Sequence, residues 1–466
     1  MTGFNRRDFV SSLAATAAGF TGLGRAAAAG LLGTPPDNPY GRLQPDPDGL
    51  LDLPDGFSYQ LISRWGEEMD DGLLVPNLHD GMAAFDGGHG RVVLVRNHEV
   101  GIDSDPSFGA FGPNFERLDR IDPAMIFDAG RTGAPCMGGT TTIVYDPKTR
   151  KVIRQFLSLA GTGRNCAGGA TPWNSWITCE EWTQRADETC AVDHGWCFEI
   201  PASSQMHLAP PRPLRAMGRF NHEAIAVAPD GRCVYLTEDR NDGIFYRFVP
   251  NEPGRLAAGG RLQALVIQDR PSADTRNWID PATELPAMKP GDKVSVKWID
   301  MADPEAPDDD LRFRGFEAGA ARFARGEGIW TGMDAVHFAC TTGGVARLGQ
   351  IFTYRPSPHE GLAAEKEAPA SLELFVEADA GGIIENADNL TVAPWGDLFV
   401  NEDGAGRDGI VRVHPDGSLE RFAMIRASDS ETAGVCFSPD GSTMFVNIQH
   451  QGLTAAIQGP WAKKKA

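Results

Sequence analysis

Acidic side chains recur where predicted strands end. Short apolar runs finish at Glu99, at Glu180-Glu181, at Glu238-Asp239 and at Glu402-Asp403. Carboxylates that converge on one place raise each other's pKa values unless cations lie between them. Calcium takes about six to eight oxygen ligands, so a converging set of this kind predicts a site for hard cations. A single strand-end acid usually faces water, and only the recurrence favours a metal site here.

A cysteine stands in the glycine-rich stretch G-T-G-R-N-C-A-G-G, residues Gly161–Gly169. Glycine permits backbone conformations that other residues avoid, and it lets a chain approach a ligand closely. Cys166 in this setting is either a nucleophile or a thiolate ligand of a metal ion. Nearby carboxylates would raise the pKa of a free thiol, whereas a transition metal holds the sulfur deprotonated. The residues therefore favour a metal ligand.

Two further motifs combine acids with cations or histidines. In A-R-F-A-R-G-E-G, Arg325 and Glu327 are two apart and project to the same side of an extended segment. The carboxylate can then join a metal while the guanidinium binds an anion. Asn-His-Glu occurs twice, ending at Glu99 and at Glu223. Glu223 begins a hairpin rather than ending one, so we expect it to reach the same place from a neighbouring strand.

A repeated unit must position these side chains. Each copy has an apolar strand, a turn rich in Asp, Gly, Pro or Trp, and a second apolar strand with a polar or acidic end. The copies are Met82–Glu99, Cys166–Glu181, His222–Asp239, Met333–Thr342, Asp388–Asp403 and Ala433–His450. Further strands follow several copies, which predicts an all-β six-bladed β-propeller with long loop insertions, notably around 100–135 and 251–325. Two packed β-domains are the competing interpretation. In a propeller, equivalent strand ends meet near one channel.

The first residues predict an export signal. Paired Arg6 and Arg7 precede a mildly apolar run and a stretch of alanines that ends at Ala29. This order is typical of secretory signals and resembles the twin-arginine signal. We therefore expect a twin-arginine signal peptide at 1–29 and a single propeller domain at 30–466. Export by the twin-arginine machinery would place the folded protein in the periplasm or outside the cell.

The amino-acid composition limits the kinds of partner that the protein is expected to bind. The 466 residues carry 63 Asp plus Glu against 43 Lys plus Arg, a formal charge of −20, which disfavours nucleic acid. No apolar stretch of about 18 residues occurs, so no membrane span is expected. We expect a monomer that acts on a small molecule. Exported cysteines often pair, and Cys190 and Cys197 are close enough to be bridged, although small buried thiols are an equal alternative for most of the eight.

The combined motifs resemble the PhoX-type alkaline phosphatases. The resemblance rests on the twin-arginine signal, Arg96 to Glu99, Asn165 to Glu181, Arg219 to Glu223, Arg325 to Gly328, Asp388 to Gly404 and Phe445 to Gly452. It implies a six-bladed propeller with a central site that holds Fe3+ and Ca2+ and hydrolyses phosphomonoesters. A metal-bound oxide or hydroxide would attack phosphorus in line, and no Ser or Thr nucleophile is needed.

The resemblance also implies roles for individual residues. Cys166 would bind iron, with Glu223 and Glu327 in the same cluster. The carboxylate candidates for calcium are Glu181, Asp388, Glu402 and Asp403. Glu99 and Glu180 remain metal-ligand candidates on the ground of their strand-end positions alone. By the resemblance, Arg325 would hold the phosphate. We expect Arg164 and Arg219 to be additional phosphate contacts, which the resemblance itself does not assign. The alternatives are a calcium-dependent propeller lactonase, which has no use for Cys166 or Arg325, and a non-catalytic propeller that binds another protein.

Overall fold

A computed structural model of the chain describes residues 40–278, 286–426 and 430–461. The predicted signal peptide, 1–29, lies outside the described residues. The chain divides into two compact units, 1–42 and 43–466, and the strands below all belong to the second unit.

The described residues form short strands joined by turns and a few short helices. The first strands are β1 (Leu43–Gln44), β2 (Leu51–Pro54), β3 (Ser58–Arg64), β4 (His79–Asp86), β5 (Val92–His98), β6 (Gly138–Asp146), β7 (Lys151–Thr162), β8 (Asn165–Ala170), β9 (Ser175–Glu180), β10 (Cys197–Pro201), β11 (His222–Val227), β12 (Val234–Glu238), β13 (Gly243–Ile244) and β14 (Tyr246–Pro250). They are followed by β15 (Gly260–Ile267), β16 (Lys293–Asp300), β17 (Arg322–Phe323), β18 (Gly326–Thr331), β19 (Val336–Cys340), β20 (Gln350–Arg355), β21 (Ser371–Glu377), β22 (Ala387–Val392), β23 (Leu398–Glu402), β24 (Gly409–Val413), β25 (Leu419–Ile425), β26 (Thr432–Phe437), β27 (Thr443–Ile448) and β28 (Leu453–Gln458).

Helical segments are short and lie in the connections. Among the described residues, an α-helix spans Leu311–Glu317, and the 3-10 helices are Pro106–Phe108, Leu118–Arg120, Pro123–Met125, Arg215–Met217, Leu256–Ala258 and Ala363–Glu367. No helix in these ranges combines the length and the apolar character that a membrane span requires.

Pro-Asp-Gly turns close several hairpins, as the sequence predicts. At the turn between β11 and β12, the Asp230 carboxylate accepts from Arg232 N–H at 3.0 Å, and Gly231 adopts φ +71°. The Asp side chain replaces a backbone acceptor, and glycine takes the left-handed conformation without a Cβ clash. Asp416 and Asp440 form the same turn with Ser418 and Ser442, each at 3.0 Å.

The strands pair into antiparallel meanders. Strands β4 to β7 form one sheet, and β8 to β10 form another with three strands. The meanders β11-β12-β14-β15 and β18-β19-β20-β21 are joined at their outer edges by β16 into one nine-stranded sheet. Strands β22 to β25 are extended by β2 and β1, and β26 to β28 by β3.

The first strands of these meanders lie side by side around a ring. Strand β4 contacts β8, β8 contacts β11, and the series continues through β18, β22 and β26 back to β4. Strand β3, an early strand of the second unit, pairs with β28, its last strand, so that early and late segments of this unit share one sheet. The expected all-β, propeller-like arrangement is confirmed.

Apolar side chains fill the space between neighbouring sheets. Between the third and fourth meanders, the Phe245 and Phe338 rings stack at 4.4 Å, and Phe338 stacks on Phe352 at 5.3 Å. Each such buried ring contributes about 1.5–3 kcal/mol relative to exposure. The packing fixes the sheets against one another and thereby fixes where their first strands begin.

The cysteines do not form the bridge considered above. All eight thiols are free, and Cys197 lies opposite Cys179 across β9 and β10 rather than beside Cys190. The direct cross-strand register brings the Cys179 and Cys197 sulfurs to 3.7 Å, while Cys190 sits in a loop near Cys136. Cys233, Cys340 and Cys436 are buried, as the alternative interpretation expects.

Candidate active site

A one-residue bulge recurs near the start of the first strand of each meander. In the first copy, pairing runs from His79 opposite His98 to Met82 opposite Arg96, which leaves Asp80 in the bulge. Strands β8, β11, β18 and β22 carry the same irregularity, and β26 carries it one residue later. Bulges bend a strand and re-aim a side chain, often beside active sites.

Five of these bulges begin with a residue that can bind a metal ion. These residues, here called the bulge ring, are Asp80, Cys166, Glu223, Glu327 and Asp388. The Cys166 Sγ lies 3.3 Å from Glu223 Oε1 and 3.7 Å from Asp80 Oδ2. Ligand atoms of Glu223, Glu327 and Asp388 all lie within 4.8 Å of one another. Side chains from five separate strand pairs therefore meet at one place.

The residues that follow the second strands form a further set around the bulge ring. Glu181 groups with Cys166 and Glu223, and Glu99 groups with Asp80 and Glu431, with ligand atoms within 4.8 Å in each group. A repeated hydrogen bond positions these residues: the backbone N–H of the strand-end residue donates to the residue before the first strand. The donors are Glu99, Glu181, Asp239, Thr341, Asp403 and Gln449.

Glu180 and Glu402 lie elsewhere. Adjacent residues of a strand point to opposite sides. Because Glu181 and Asp403 face the bulge ring, the preceding Glu180 and Glu402 face away from it. Glu180 accepts from the backbone N–H groups of Gly163 at 2.9 Å and Gly195 at 2.8 Å, and it contacts His194 Nδ1 at 2.6 Å. Glu402 accepts from Glu385 N–H and pairs with Arg421. The structure does not bring these two carboxylates into the cluster.

Arg325 lies at the cluster. Its guanidinium donates to both oxygens of Asp239, at 2.8 and 3.0 Å, and lies 2.6 Å from Glu327 Oε1. Its backbone has φ +54°, and its side chain remains 30% exposed, so the group faces both the acids and solvent. The paired acids raise its pKa further.

Arg164 and Arg219, the other two predicted phosphate contacts, lie in different surroundings. Arg164 immediately precedes β8, at the position equivalent to Arg325, with φ +47° and an exposed side chain. Its charge also acts on Glu99. Arg219 is buried and donates to the carbonyl oxygens of Thr183 and Ala306 instead. The structure therefore brings Arg164 to the cluster and Arg219 to a separate loop contact.

Polar side chains on the second strands hold the bulges of the next meander. Asn97 donates to the carbonyl oxygens of Cys166 at 3.0 Å and Ala167 at 2.7 Å. Thr237 donates to Glu327 O at 2.6 Å. These bonds fix the backbone from which ligand side chains project, and so preorganise the cluster. At Gly81, an added Cβ would lie 2.5 Å from Ala167 Cα, so only glycine allows the neighbouring bulges to approach this closely.

A family model for the alkaline phosphatase PhoX matches residues 38–452. The chain belongs to the PhoX alkaline phosphatase family. It is therefore a phosphatase that hydrolyses phosphomonoesters, which decides against the lactonase and the non-catalytic alternatives.

A solved structure of a PhoX shares the fold of this chain. The structure of Pseudomonas fluorescens PhoX in complex with vanadate, a transition state analogue, has a TM-score of 0.65 at 20% identity, and the match covers 88% of this chain and 96% of that chain. A gluconolactonase from Xanthomonas campestris has a TM-score of 0.39 at 12% identity, covering 86% of this chain and 98% of its own. No curated protein matches the sequence.

Burial and mutual repulsion set the protonation of the acids in this PhoX-family chain. Burial, together with neighbouring carboxylates, raises the pKa values of Glu99 and Asp388 to about 7. The same causes raise the pKa values of Glu223 and the Cys166 thiol well above their usual ranges. Carboxylates far outnumber the nearby guanidinium groups, so the cluster needs added positive charge in order to ionise.

The donor set fits metal ions. The Oε2 atom of Glu223 is buried and has no hydrogen-bond partner among the described residues. Such an atom is costly unless a ligand satisfies it. Carboxylate oxygens suit calcium, and a thiolate beside them suits a transition metal. The cluster thus offers both kinds of donor at one place.

Sequence reasoning missed Asp80, Glu431 and Gln449. Gln449 donates to Asp80 Oδ2 at 2.6 Å and to Glu99 Oε2 at 3.1 Å, which links the two carboxylates. A signal for Asp80 existed, since His79-Asp80-Gly81 parallels His222-Glu223-Ala224 at the start of its strand. Gln449 follows the second strand of the last predicted copy, so its position carried a signal, whereas Glu431 precedes that copy and is recognised only by its place around the ring.

Proposed function

We propose that phosphomonoester hydrolysis takes place at the bulge ring and the strand-end acids around it, with Fe3+ and Ca2+ bound there. The observation that carries the proposal is the convergence of five bulge residues, with one buried Glu223 oxygen unpartnered. Cys166, Glu181 and Glu223 would hold iron, because this group combines a thiol with carboxylates. The all-oxygen groups would hold calcium: Asp80, Glu99 and Glu431, and Glu327 with Asp388.

Bound metal ions would supply Lewis-acid activation of the attacking oxygen and would neutralise charge on the phosphoryl oxygens. The chain's own residues bind and orient the ester. Arg325 presents a planar fork of donors that matches a phosphate oxygen pair, and Asp239 holds that fork in place through two hydrogen bonds. Arg164 would add a second cation from the equivalent position before its own strand. Arg219 has no part in this proposal because carbonyl oxygens already engage its guanidinium.

Strand-end acids differ in their proposed roles. Glu99, Glu181 and Asp403 would act as metal ligands or neighbours of ligands, since each follows a second strand and faces the ring. Glu180 and Glu402 are left out because other donors within the fold occupy them. Relative to the set expected from the sequence, the proposed ligand set omits Glu180 and Glu402 and adds Asp80 and Glu431.

We also propose a six-bladed ring that forms one domain, 30–466. Its support is the series of six first strands, each in contact with the next and each bearing a bulge near its start. The paired Arg6 and Arg7 support a removable signal at 1–29 and folded export by the twin-arginine machinery to the periplasm or beyond. We further propose that the mature protein is a monomer, which light scattering would test.

The experiment is hydrolysis of p-nitrophenyl phosphate by the purified chain, with metal analysis of the same sample. We expect iron and calcium in the active protein, loss of activity on treatment with a calcium chelator, and recovery when calcium is restored. Cys166→Ser should lose both iron and activity, whereas the matched control Cys436→Ser, at a buried thiol between sheets, should keep both. Full activity in chelator together with full activity of Cys166→Ser would refute the proposed site.

A further inference from the structure

Two loops bring a second set of metal-binding side chains together away from the bulge ring. Asp128 and Cys136 lie between β5 and β6, and Cys190 and His194 lie between β9 and β10. These four residues, here called the loop cluster, are all buried, and their ligand atoms lie within 4.8 Å of one another. Neither the proposed reaction nor the family resemblance uses them.

The distances within the loop cluster are close to those of a tetrahedral zinc site. The Cys136 Sγ lies 3.7 Å from His194 Nε2, and His194 Nε2 lies 3.1 Å from Asp128 Oδ2. Zinc bonds of about 2.3 Å to sulfur and about 2.0–2.1 Å to nitrogen and oxygen give ligand-to-ligand edges of about 3.3–3.8 Å in a tetrahedron. The Cys136–His194 distance lies within this range and the His194–Asp128 distance is slightly shorter, so small side-chain adjustments would bring the four ligand atoms around a single ion.

Glu180 orients the histidine. Its Oε1 lies 2.6 Å from His194 Nδ1, on the side of the ring away from Cys136. Metal-binding histidines usually donate their second ring N–H to a carboxylate, which fixes the tautomer and ring direction. With the proton on Nδ1, the lone pair of Nε2 points toward the thiols and Asp128. Glu180 is itself held by Gly163, Gly195 and Trp196 N–H groups.

The carboxylate of Asp128 is also placed for a ligand. Its Oδ1 accepts from Gly130 N–H at 2.7 Å, and its Oδ2 accepts from Ala191 N–H at 2.9 Å. Val192 N–H makes a longer contact to the same Oδ2 at 3.4 Å. Each carboxylate oxygen has two lone pairs, so Oδ2 can keep the Ala191 hydrogen bond and bind a cation in place of that longer contact. The backbone donors hold this oxygen in the direction of His194 Nε2.

We propose that the loop cluster binds one zinc ion through Cys136, Cys190, His194 and Asp128, as a structural site. Two thiols and an imidazole with one carboxylate make a closed, four-ligand set that suits zinc. Binding releases the two thiol protons, and any proton on Nε2, to solvent. The zinc ties the loop before β6 to the loop before β10. It thereby supports Glu180, whose hydrogen bond to Gly163 N–H lies next to the segment that carries Arg164 and Cys166.

The test is zinc analysis of the full-length purified chain, combined with cobalt substitution. We expect about one zinc per chain after dialysis, and a thiolate-to-cobalt charge-transfer absorption when cobalt replaces it. The double variant Cys136→Ser with Cys190→Ser should lose both signals. Cys166→Ser should keep the zinc and most of the cobalt absorption, which separates this site from the bulge ring, and Cys436→Ser should keep both signals unchanged.

A gentler variant keeps the proposal testable if the double variant does not fold. Glu180→Gln retains an acceptor for His194 but loses the negative charge, and it should weaken zinc affinity about 10–100-fold in a chelator competition. Unchanged zinc affinity in Glu180→Gln, or zinc retained in a folded double variant, would overturn the proposal. So would a wild-type chain that holds no zinc, including one in which mass spectrometry finds a Cys136–Cys190 disulfide. The result does not depend on phosphatase activity.

Discussion

Glu402 and Asp403 are neighbours in the chain and meet opposite surroundings. Glu402 is buried with an ion pair to Arg421 and a hydrogen bond from Glu385 N–H. Asp403 belongs to the same hairpin as the bulge-ring residue Asp388, and burial together with the Asp403 charge raises the pKa of the Asp388 carboxyl to about 7. One carboxylate is satisfied within its own sheet, and the other is set against a like charge.

The same division holds at two further strand ends. Glu180 accepts several N–H groups, while Glu181 meets Cys166 and Glu223. Glu238 accepts from the Tyr246 hydroxyl at 2.9 Å, while the following Asp239 faces Arg325 and the ring. A buried carboxylate with donors around it stabilises the fold. A buried carboxylate among other carboxylates lowers the stability of the fold unless a bound cation offsets the repulsion. Clusters of this kind are typical of functional sites.

The largest expected effect on activity comes from a substitution within the bulge ring. Cys166→Ser preserves size and removes the thiolate donor, so kcat/KM for p-nitrophenyl phosphate should fall by roughly 10³-fold, since a bound metal contributes several kcal/mol of transition-state stabilisation. In metal-free samples thermal stability should change little, because the serine hydroxyl can donate to Glu223 Oε1 in place of the thiol. Steady-state kinetics and calorimetry on the same preparation measure both. An inactive chain that has also lost much of its stability would instead place Cys166 among the structural groups.

Arg325 provides the next largest effect. Arg325→Lys keeps the charge but loses the planar fork, and we expect kcat/KM to fall by about 10²–10³-fold. Arg164→Lys, at the equivalent position but more exposed, should lower kcat/KM by only about tenfold. Inhibition by inorganic phosphate should weaken in the same order. If both variants bind phosphate as tightly as the wild-type chain, neither guanidinium contacts the substrate.

Paired substitutions at one strand end separate the two kinds of carboxylate directly. Asp403→Asn should weaken the calcium dependence of activity by severalfold and leave the free energy of unfolding nearly unchanged, because it removes repulsion as well as a ligand. Glu402→Gln should lower the free energy of unfolding by about 1–3 kcal/mol, since Arg421 loses its charged partner, and should leave kcat/KM near the wild-type value. Urea unfolding and calcium titration report the two quantities. If Asp403→Asn lowered the free energy of unfolding and Glu402→Gln weakened the calcium dependence, then Glu402 rather than Asp403 would face the ring.

The smallest expected effect is a pH dependence at Glu238. Burial raises the pKa of this carboxyl to about 7 from its ordinary value of 4.5, so between these pH values the folded chain retains a proton that the unfolded chain has lost. The contribution of Glu238 to stability is therefore fully present below about pH 4.5 and declines as pH rises to about 7. Glu238→Gln lacks this titration, so the variant should gain stability relative to the wild-type chain as pH rises through that window. A difference in unfolding free energy that does not change with pH would show that Glu238 stays ionised when folded.

Much of the fold could be predicted from local pattern. The Pro-Asp-Gly turns and the alternating strands around them predict hairpins because turn geometry and strand periodicity depend only on neighbouring residues. The predicted hairpin His222–Asp239 corresponds to β11 and β12. The Cys190–Cys197 bridge could not be judged in this way, since proximity along the chain does not reveal that Cys197 faces Cys179 across a sheet.

The candidate site shows more clearly what local sequence pattern can predict and what it cannot. The residue types were sufficient to identify Cys166, Glu223 and Arg325 as ligand-binding candidates, because a thiol, a carboxylate and a guanidinium have distinct chemistry in any fold. The sequence could not separate Glu181 from Glu180, since either of two adjacent acids can face a channel. The tertiary structure decided it through the bulges and strand register, which set the direction of each side chain. Only the packing of sheets around a ring brings residues as far apart in the sequence as Asp80 and Gln449 into contact. Local sequence pattern depends on neighbouring residues and cannot predict contacts over such a separation.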